Sequence, residues 1–256
     1  MASTFVAKTE MISFSSEHRF VVTGASSGIG EGVALLLNHL GAQVIAVGRN
    51  TGRLEAAKGK CVSPERFQVE PRDLAADVES LPVFMKELKE KYGKLRGVAY
   101  CAGITQVMPL KALTYADMKA VFDVDYFAPI FMAKGFCDKR INDGEGSSFV
   151  VIASNAAIVQ DPGMTSYTGA KAGLIASMKS IAKEAASRHV RVNCISPAMV
   201  NTPMAAHADE YADVYTHKYP FGFAEVEDVA NMVAFLLSDK SKWISGQNYI
   251  MDCASY

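Results

Sequence analysis

The 256-residue chain lacks the features that tie a protein to a metal, a disulfide framework, a membrane or a nucleic acid. Its five cysteines (Cys61, Cys101, Cys137, Cys194, Cys253) are scattered with no C-x-x-C spacing. An odd number spread that widely argues against a disulfide scaffold and against a zinc site. The five histidines are equally dispersed, with no H-E-x-x-H pair. No metal site is expected, and a reducing cytoplasm is the expected setting. Net charge is −1, so no global field draws the chain to DNA, RNA or an acidic membrane. No window has the apolar length of a membrane helix. The opening MASTFVAKTEMISFSS lacks the basic start and apolar run of a signal peptide. Repeats and low-complexity tracts are absent too. A soluble protein with no membrane or nucleic-acid partner is expected.

Half of the residues are hydrophobic and 21% are charged, the balance of a globular domain. Short β-branched runs at 20–23, 43–47, 66–69, 97–100, 148–153, 191–195 and 248–251 read as strands. Between them, amphipathic stretches at 30–40, 81–92, 115–136, 170–187 and 226–236 read as helices. Several strand runs are continuously apolar, as expected when helices cover both faces of a sheet. This alternation predicts an α/β fold, a doubly wound and mostly parallel Rossmann-type sheet in one domain over 18–256, behind an extension at 1–17. The rhythm breaks between Met199 and Phe223, a long polar and aromatic stretch carrying Pro203, Pro220 and Gly222. A loop of that length is usually functional, here a substrate lid, or else a surface insertion that only packs.

In RFVVTGASSGIGEGVALLLNHLG a strand runs into a glycine-rich turn and then a helix. Gly24, Gly28 and Gly30 have the spacing G-x-x-x-G-x-G, which permits a tight turn and close approach of backbone to a ligand. The helix beginning near Gly28 aims unpaired N–H groups and a positive dipole end at the turn, where a pyrophosphate is favoured. A dinucleotide is the expected ligand. In dinucleotide folds an acid at the end of the second strand binds the ribose 2′-hydroxyl, whereas an arginine accommodates a 2′-phosphate. Here Gly48 fills the acid's slot and Arg49 follows, favouring NADP(H) over NAD(H).

Tyr167 and Lys171 lie at i and i+4 in the helical stretch SYTGAKAGLIASMKSIAKEAAS, on one face. An unperturbed tyrosine is a poor acid at neutral pH, but a neighbouring ammonium stabilises the phenolate and makes the phenol a usable proton donor. Ser154 ends the strand SSFVVIAS, where strand carboxyl ends line the ligand crevice. Each feature alone is commonplace: a Tyr–Lys pair on an amphipathic helix, a serine capping a turn. Their force is in occurring together, in order, behind the glycine turn.

With those residues in view the chain resembles the short-chain dehydrogenase/reductase family, in its single-domain branch, over nearly its whole length. TGASSGIG matches that branch's cofactor motif, which implies cofactor contacts from Gly24, Ser26, Ser27, Gly28, Ile29 and Gly30, with Arg49 and Asn50 beyond the second strand. Ser154, Tyr167 and Lys171 match the family's catalytic serine, tyrosine and lysine, the last two also touching cofactor. By the same resemblance Asp73 and Leu74 lie at the adenine, and Cys101, Ala102 and Gly103 beside the adenosine. Pro197, Val200 and Thr202 fall in the stretch that binds the nicotinamide carboxamide. FAEVEDVANMVAFLLSDKSKWISGQ is similar to 3-oxoacyl-carrier-protein reductases. A homotetramer, with 115–136 and 170–187 forming one interface, is also implied.

There are departures. Asp125 stands where the family has an asparagine whose backbone carbonyl holds a proton-relay water; its carboxylate brings a charge to Lys171 and Tyr167. Ala198 and Cys253 replace common glycines. The resemblance implies a hydride transfer between a nicotinamide and a carbonyl or alcohol carbon, on a 3-oxoacyl thioester or another ketone. Lid aromatics Tyr211, Tyr215, Tyr219, Phe221 and Phe223 suit a bulky or apolar substrate, or pack the lid, while Asp209, Glu210 and Asp213 disfavour a highly anionic one. The alternative is a non-catalytic NADP(H)-binding regulator with this fold. An extended-branch epimerase would need G-x-x-G-x-x-G and a further C-terminal domain, and the chain shows neither.

Overall fold

The computed structural model describes residues 12–205 and 218–255. Seven strands form a single sheet: β1 (Arg19–Thr23), β2 (Gln43–Gly48), β3 (Phe67–Pro71), β4 (Gly97–Tyr100), β5 (Ser147–Ile152), β6 (Val190–Pro197) and β7 (Asn248–Met251). Every pair is parallel, in the order β3-β2-β1-β4-β5-β6-β7. The order reverses between β1 and β4, which opens a crevice at their carboxyl ends.

The helices are α1 (Gly28–His39), α2 (Thr51–Lys58), α3 (Leu81–Tyr92), α4 (Tyr115–Phe122), α5 (Ala128–Phe136), α6 (Ala156–Val159), α7 (Thr165–Ala185) and α8 (Val226–Leu237). Successive strand residues point to opposite faces of the sheet. Val21, Ile45, Val98, Phe149 and Val192 meet Met85, Phe136 and Leu174 from α3, α5 and α7. Phe20, Val22, Val44 and Val150 meet Leu37, Val229 and Val233 from α1 and α8. Each such large side chain, taken fully out of water, contributes about 1.5–3 kcal/mol. Both faces of the central strands are therefore dry, which is why several of them stand out as apolar runs.

The strand expectations hold to within a few residues. β3 starts after a 3-10 turn at Pro64–Arg66, so Arg66 is excluded from it. α7 begins at Thr165, one residue ahead of the helical stretch read from Ser166, and carries Tyr167 in its first turn as expected. α2 was not foreseen. Its start is set by Asn50, whose side chain accepts the Arg53 N–H at 3.0 Å. The single helix expected over 115–136 is broken by a π-helical turn, Asp123–Phe127, between α4 and α5. The Tyr100 hydroxyl donates to the Val124 carbonyl at 2.7 Å, giving that carbonyl a partner outside the helix.

Packing against the domain begins inside the expected extension. The Phe14 N–H donates to the Leu40 carbonyl at 2.8 Å, and the Phe14 ring meets Phe20 edge-on at 4.8 Å. In the long loop, Val200 bridges to Ala224 and Tyr219 meets Phe223 edge-on at 5.2 Å. Asp209, Glu210, Tyr211, Asp213 and Tyr215 lie outside the described residues. Among the described residues no helix is long and apolar enough to cross a membrane.

After β7 two consecutive residues, Cys253 (φ +48°) and Ala254 (φ +58°), hold the left-handed conformation that side chains resist. Cys253 is exposed, so its replacement by glycine removes strain without opening a cavity. Cys253→Gly is expected to raise stability by about 0.5–1 kcal/mol, offset in part by glycine's greater unfolded-state entropy. Denaturant unfolding checks this. An unchanged or lower midpoint would show that the strain is relieved elsewhere.

Candidate active site

The site begins where β1 ends. Thr23 is fully buried, and its Oγ1 accepts the N–H groups of Cys101 and Ala102, each at 3.0 Å, tying the ends of β1 and β4 together. The chain then turns through Gly24, at φ +66°, where a Cβ would stand 3.0 Å from the Ala102 backbone. At Gly30 a Cβ would lie 2.3 Å from the Gly24 carbonyl oxygen. Only glycine lets α1 start this close to the strand. Ser27, at the N-cap, makes no side-chain capping bond. The first N–H groups of a 12-residue helix are thus left to an outside acceptor, and the dipole favours an anionic one.

A cavity of about 770 Å³ opens over this turn. Its wall includes Gly24, Ser26, Ser27, Gly28, Ile29, Gly30, Arg49, Asn50, Asp73, Leu74, Cys101, Ala102, Gly103 and Thr202, all expected at a cofactor. Thr202 crosses above the turn, within 3.3 Å of a Cβ built on Gly28. Pro197 and Val200 are buried beside the cavity and do not line it. Thr51, Arg53, Arg72, Val124 and Met204 do line it and were not expected. The N-cap residue Asn50, beside a segment rich in arginine, was the one signal that could have found Arg53.

At the far end of this cavity β2 stops at Gly48, close against Ser26. Arg49 is exposed, and its guanidinium makes no hydrogen bond or ion pair among the described residues. Arg72 is held otherwise: it donates to Ser80 Oγ at 2.6 Å and stacks on Phe84 at 4.9 Å. Asp73 turns inward on its own loop, accepting the Ala75 N–H at 3.0 Å.

The other end of the crevice carries the titratable side chains. Ser154 follows β5, and its Oγ accepts the Ala156 N–H at 3.1 Å, starting α6. That bond occupies a lone pair and leaves the hydroxyl proton free to donate. Tyr167 is half-buried on the first turn of α7. Lys171, one turn on, is 3% exposed, with its Nζ 5.6 Å from the centre of the Tyr167 ring.

Lys171 Nζ donates to the Ile152 carbonyl at 3.0 Å and lies 2.8 Å from Asp125 Oδ1. Asp125 is wholly buried in the π turn, and its Oδ2 accepts the Ile104 N–H at 3.1 Å. Burial pulls the lysine's pKa down, but the Asp125 carboxylate and the Tyr167 oxygen together outweigh it, and the net shift is upward. Lys171 therefore stays an ammonium. The neighbouring thiols of Cys101 and Cys194 are each pushed by burial to about 12, despite the lysine's charge, and stay neutral. Among the described residues no group of three or more His, Cys, Asp or Glu could hold a metal.

Residues 24–253 match the family model described as enoyl-(acyl carrier protein) reductase. A 3-oxoacyl-[acyl-carrier-protein] reductase of Thermotoga maritima is 33% identical over 236 residues, covering 89% of this chain and 93% of that protein. An acetoacetyl-CoA reductase of Synechocystis is 32% identical, covering 93% and 96%. Among solved structures, a short-chain dehydrogenase from Burkholderia cenocepacia in complex with NADP superposes with a TM-score of 0.87 at 27% identity, covering 93% and 98%.

Proposed function

The chain belongs to the short-chain dehydrogenase/reductase family, oxidoreductases acting on CH–OH or C=O groups, and from that premise we propose that it reduces a 3-oxoacyl thioester with NADPH. The observation that carries this reading is the junction of two sites on one crevice. A cradle that only glycine fits leads to an uncommitted Arg49 at one end and to Ser154, Tyr167 and Lys171 at the other.

The cradle suits a dinucleotide. Gly24 and Gly30 leave the space a Cβ would fill, and Ser27 leaves the α1 amides to a pyrophosphate. Gly48 offers no carboxylate to repel a 2′-phosphate, and the Arg49 and Arg53 guanidinia are placed to pair with one. When bound there, a reduced nicotinamide would supply a hydride for the carbonyl carbon. Tyr167 gives its phenolic proton to the carbonyl oxygen as the electron pair of the C=O bond moves onto it, so an alcohol forms. The ammonium of Lys171 stabilises the phenolate left behind until solvent restores the proton. Ser154 donates to the same oxygen and stabilises its developing charge. The thioester class is supported by the relatives named for 3-oxoacyl and acetoacetyl substrates. A cytoplasmic homo-oligomer, a tetramer by family resemblance, belongs to this proposal as well.

The test is oxidation of NADPH and NADH against a 3-oxoacyl thioester, a 2-enoyl thioester and a sugar ketone. Turnover is expected with NADPH and the 3-oxo compound. Arg49→Ala is expected to raise the KM for NADPH by about 10- to 100-fold, the worth of a charge-assisted hydrogen bond, and to leave NADH unaffected. Equal use of NADH by the unaltered protein would overturn the cofactor assignment. Turnover of the enoyl compound alone would overturn the carbonyl assignment, and silence with all of them would favour the regulator.

A further inference from the structure

An ammonium has three N–H donors. One of those on Lys171 is committed to Ile152 O, and the ammonium is ion-paired with Asp125 Oδ1 at 2.8 Å. Asp125 is committed on both sides as well, since its second oxygen holds the Ile104 amide in the loop that lines the cofactor cavity. A carboxylate hydrogen-bonded at one oxygen, ion-paired at the other and without exposed surface cannot swing away to solvent.

The groups packed around Lys171 come from four places. Asp125 faces it from the π turn, Tyr167 from α7 itself, Cys194 from β6, and Cys101 from the end of β4. A second phenol, Tyr100, faces Asp125 and is fully buried. Burial keeps both thiols and Tyr100 neutral. Within this cluster the charges acting on Tyr167 are therefore those of Lys171 and Asp125. A full positive charge beside a phenol favours its ionised form, and an ion pair favours it much less.

We infer that Asp125 is a positioning residue for the acid: it locks the Lys171 ammonium in place and offsets its charge beside Tyr167, so that carbonyl reduction persists to a higher pH than a neutral side chain at 125 would allow. Protons and electrons flow as in the reaction above, and what Asp125 sets is the pH range over which the proton donor is loaded. Gly103 completes the arrangement. A Cβ there would come within 2.7 Å of Asp125 Oδ1 and 3.6 Å of Lys171 Nζ, so the cofactor loop closes over the pair only because it has none. The inference rests on the ketoreductase reading of the same site.

Asp125→Asn keeps the shape and removes the charge. The alkaline limb of NADPH-dependent reduction is expected to move down by about one pH unit, and the acid limb of alcohol oxidation to move with it. A second readout needs no substrate, so it survives a failure of the ketoreductase reading. The chain has ten tyrosines, and the difference in phenolate absorbance between a protein and its Tyr167→Phe counterpart isolates one. That difference titration should reach its midpoint at a lower pH on the Asn background than on the native one, and Asp125→Glu should restore the native position. A fall in turnover with both profiles unmoved makes Asp125 merely structural and overturns the inference. Should the Asn variant not fold, the native titration decides alone. A midpoint two units or more below the ordinary tyrosine value of about 10 would mean that the ammonium acts undiminished, and overturns the inference too.

Discussion

Tyr167→Phe is expected to lower kcat for carbonyl reduction by about 10²- to 10⁴-fold, the usual contribution of a positioned general acid. The substitution removes one oxygen and nothing else. The ring stays half-buried on the first turn of α7, and the lost hydroxyl has no hydrogen bond to any described residue, so no protein partner is left unsatisfied. Stability should accordingly remain near that of the unaltered protein, and NADPH should still bind, while the chemical step fails. Lys171 keeps its bond to Ile152 and its ion pair with Asp125, so the loss is not a collapse of the site. Single-turnover kinetics, cofactor fluorescence titration and thermal unfolding separate these effects. Turnover that survives the substitution would remove Tyr167 from the reaction, and a large fall in melting temperature would make it structural.

What the sequence discloses of this fold follows from where the information sits. The central strands were legible because both faces of the sheet are covered there, so runs such as Phe20–Val22, Val44–Val47 and Phe149–Ile152 are apolar and buried. The glycine turn was legible because its requirement is steric and local: Gly24 and Gly30 lie against backbone a few residues away. The break in the helix over 115–136 was not, because its partners are remote in sequence. Tyr100 reaches Val124, and Lys171 reaches Asp125 across 46 positions (171 minus 125). No 3.6-residue periodicity encodes those contacts. α2 was hidden for a different reason. It opens on Thr51 and Gly52, weak helix formers, and its polar surface leaves little periodic signal. With α2 unseen, Arg53 could not be placed on the wall of the cavity. Asp125 marks the middle case: its departure from the family pattern was visible, whereas the direct pairing of its carboxylate with Lys171 required the fold.

That pairing carries the largest effect on stability expected for any single change here. Lys171→Met would leave the Asp125 carboxylate wholly buried with only the Ile104 amide to answer it. Breaking a buried pair from one side typically costs about 3–5 kcal/mol, which in a chain of this size lowers the melting temperature by about 6–20 °C. Because Lys171 holds its proton more tightly folded than unfolded, its share of the stabilisation is present in full below the ordinary lysine value of 10.5. It fades only as the pH rises through the still higher folded value, so the comparison made at neutral pH reads the whole effect. The decisive variant is the double one. Asp125→Asn with Lys171→Met removes both charges and should recover most of the lost stability, since a neutral pair of similar volume does not strand an ion. It should recover none of the turnover, because no ammonium remains beside Tyr167. If the double variant unfolds as readily as Lys171→Met alone, the cost lies in the lost packing of the lysine stem and its bond to Ile152, and the pair is not what holds this end of the crevice.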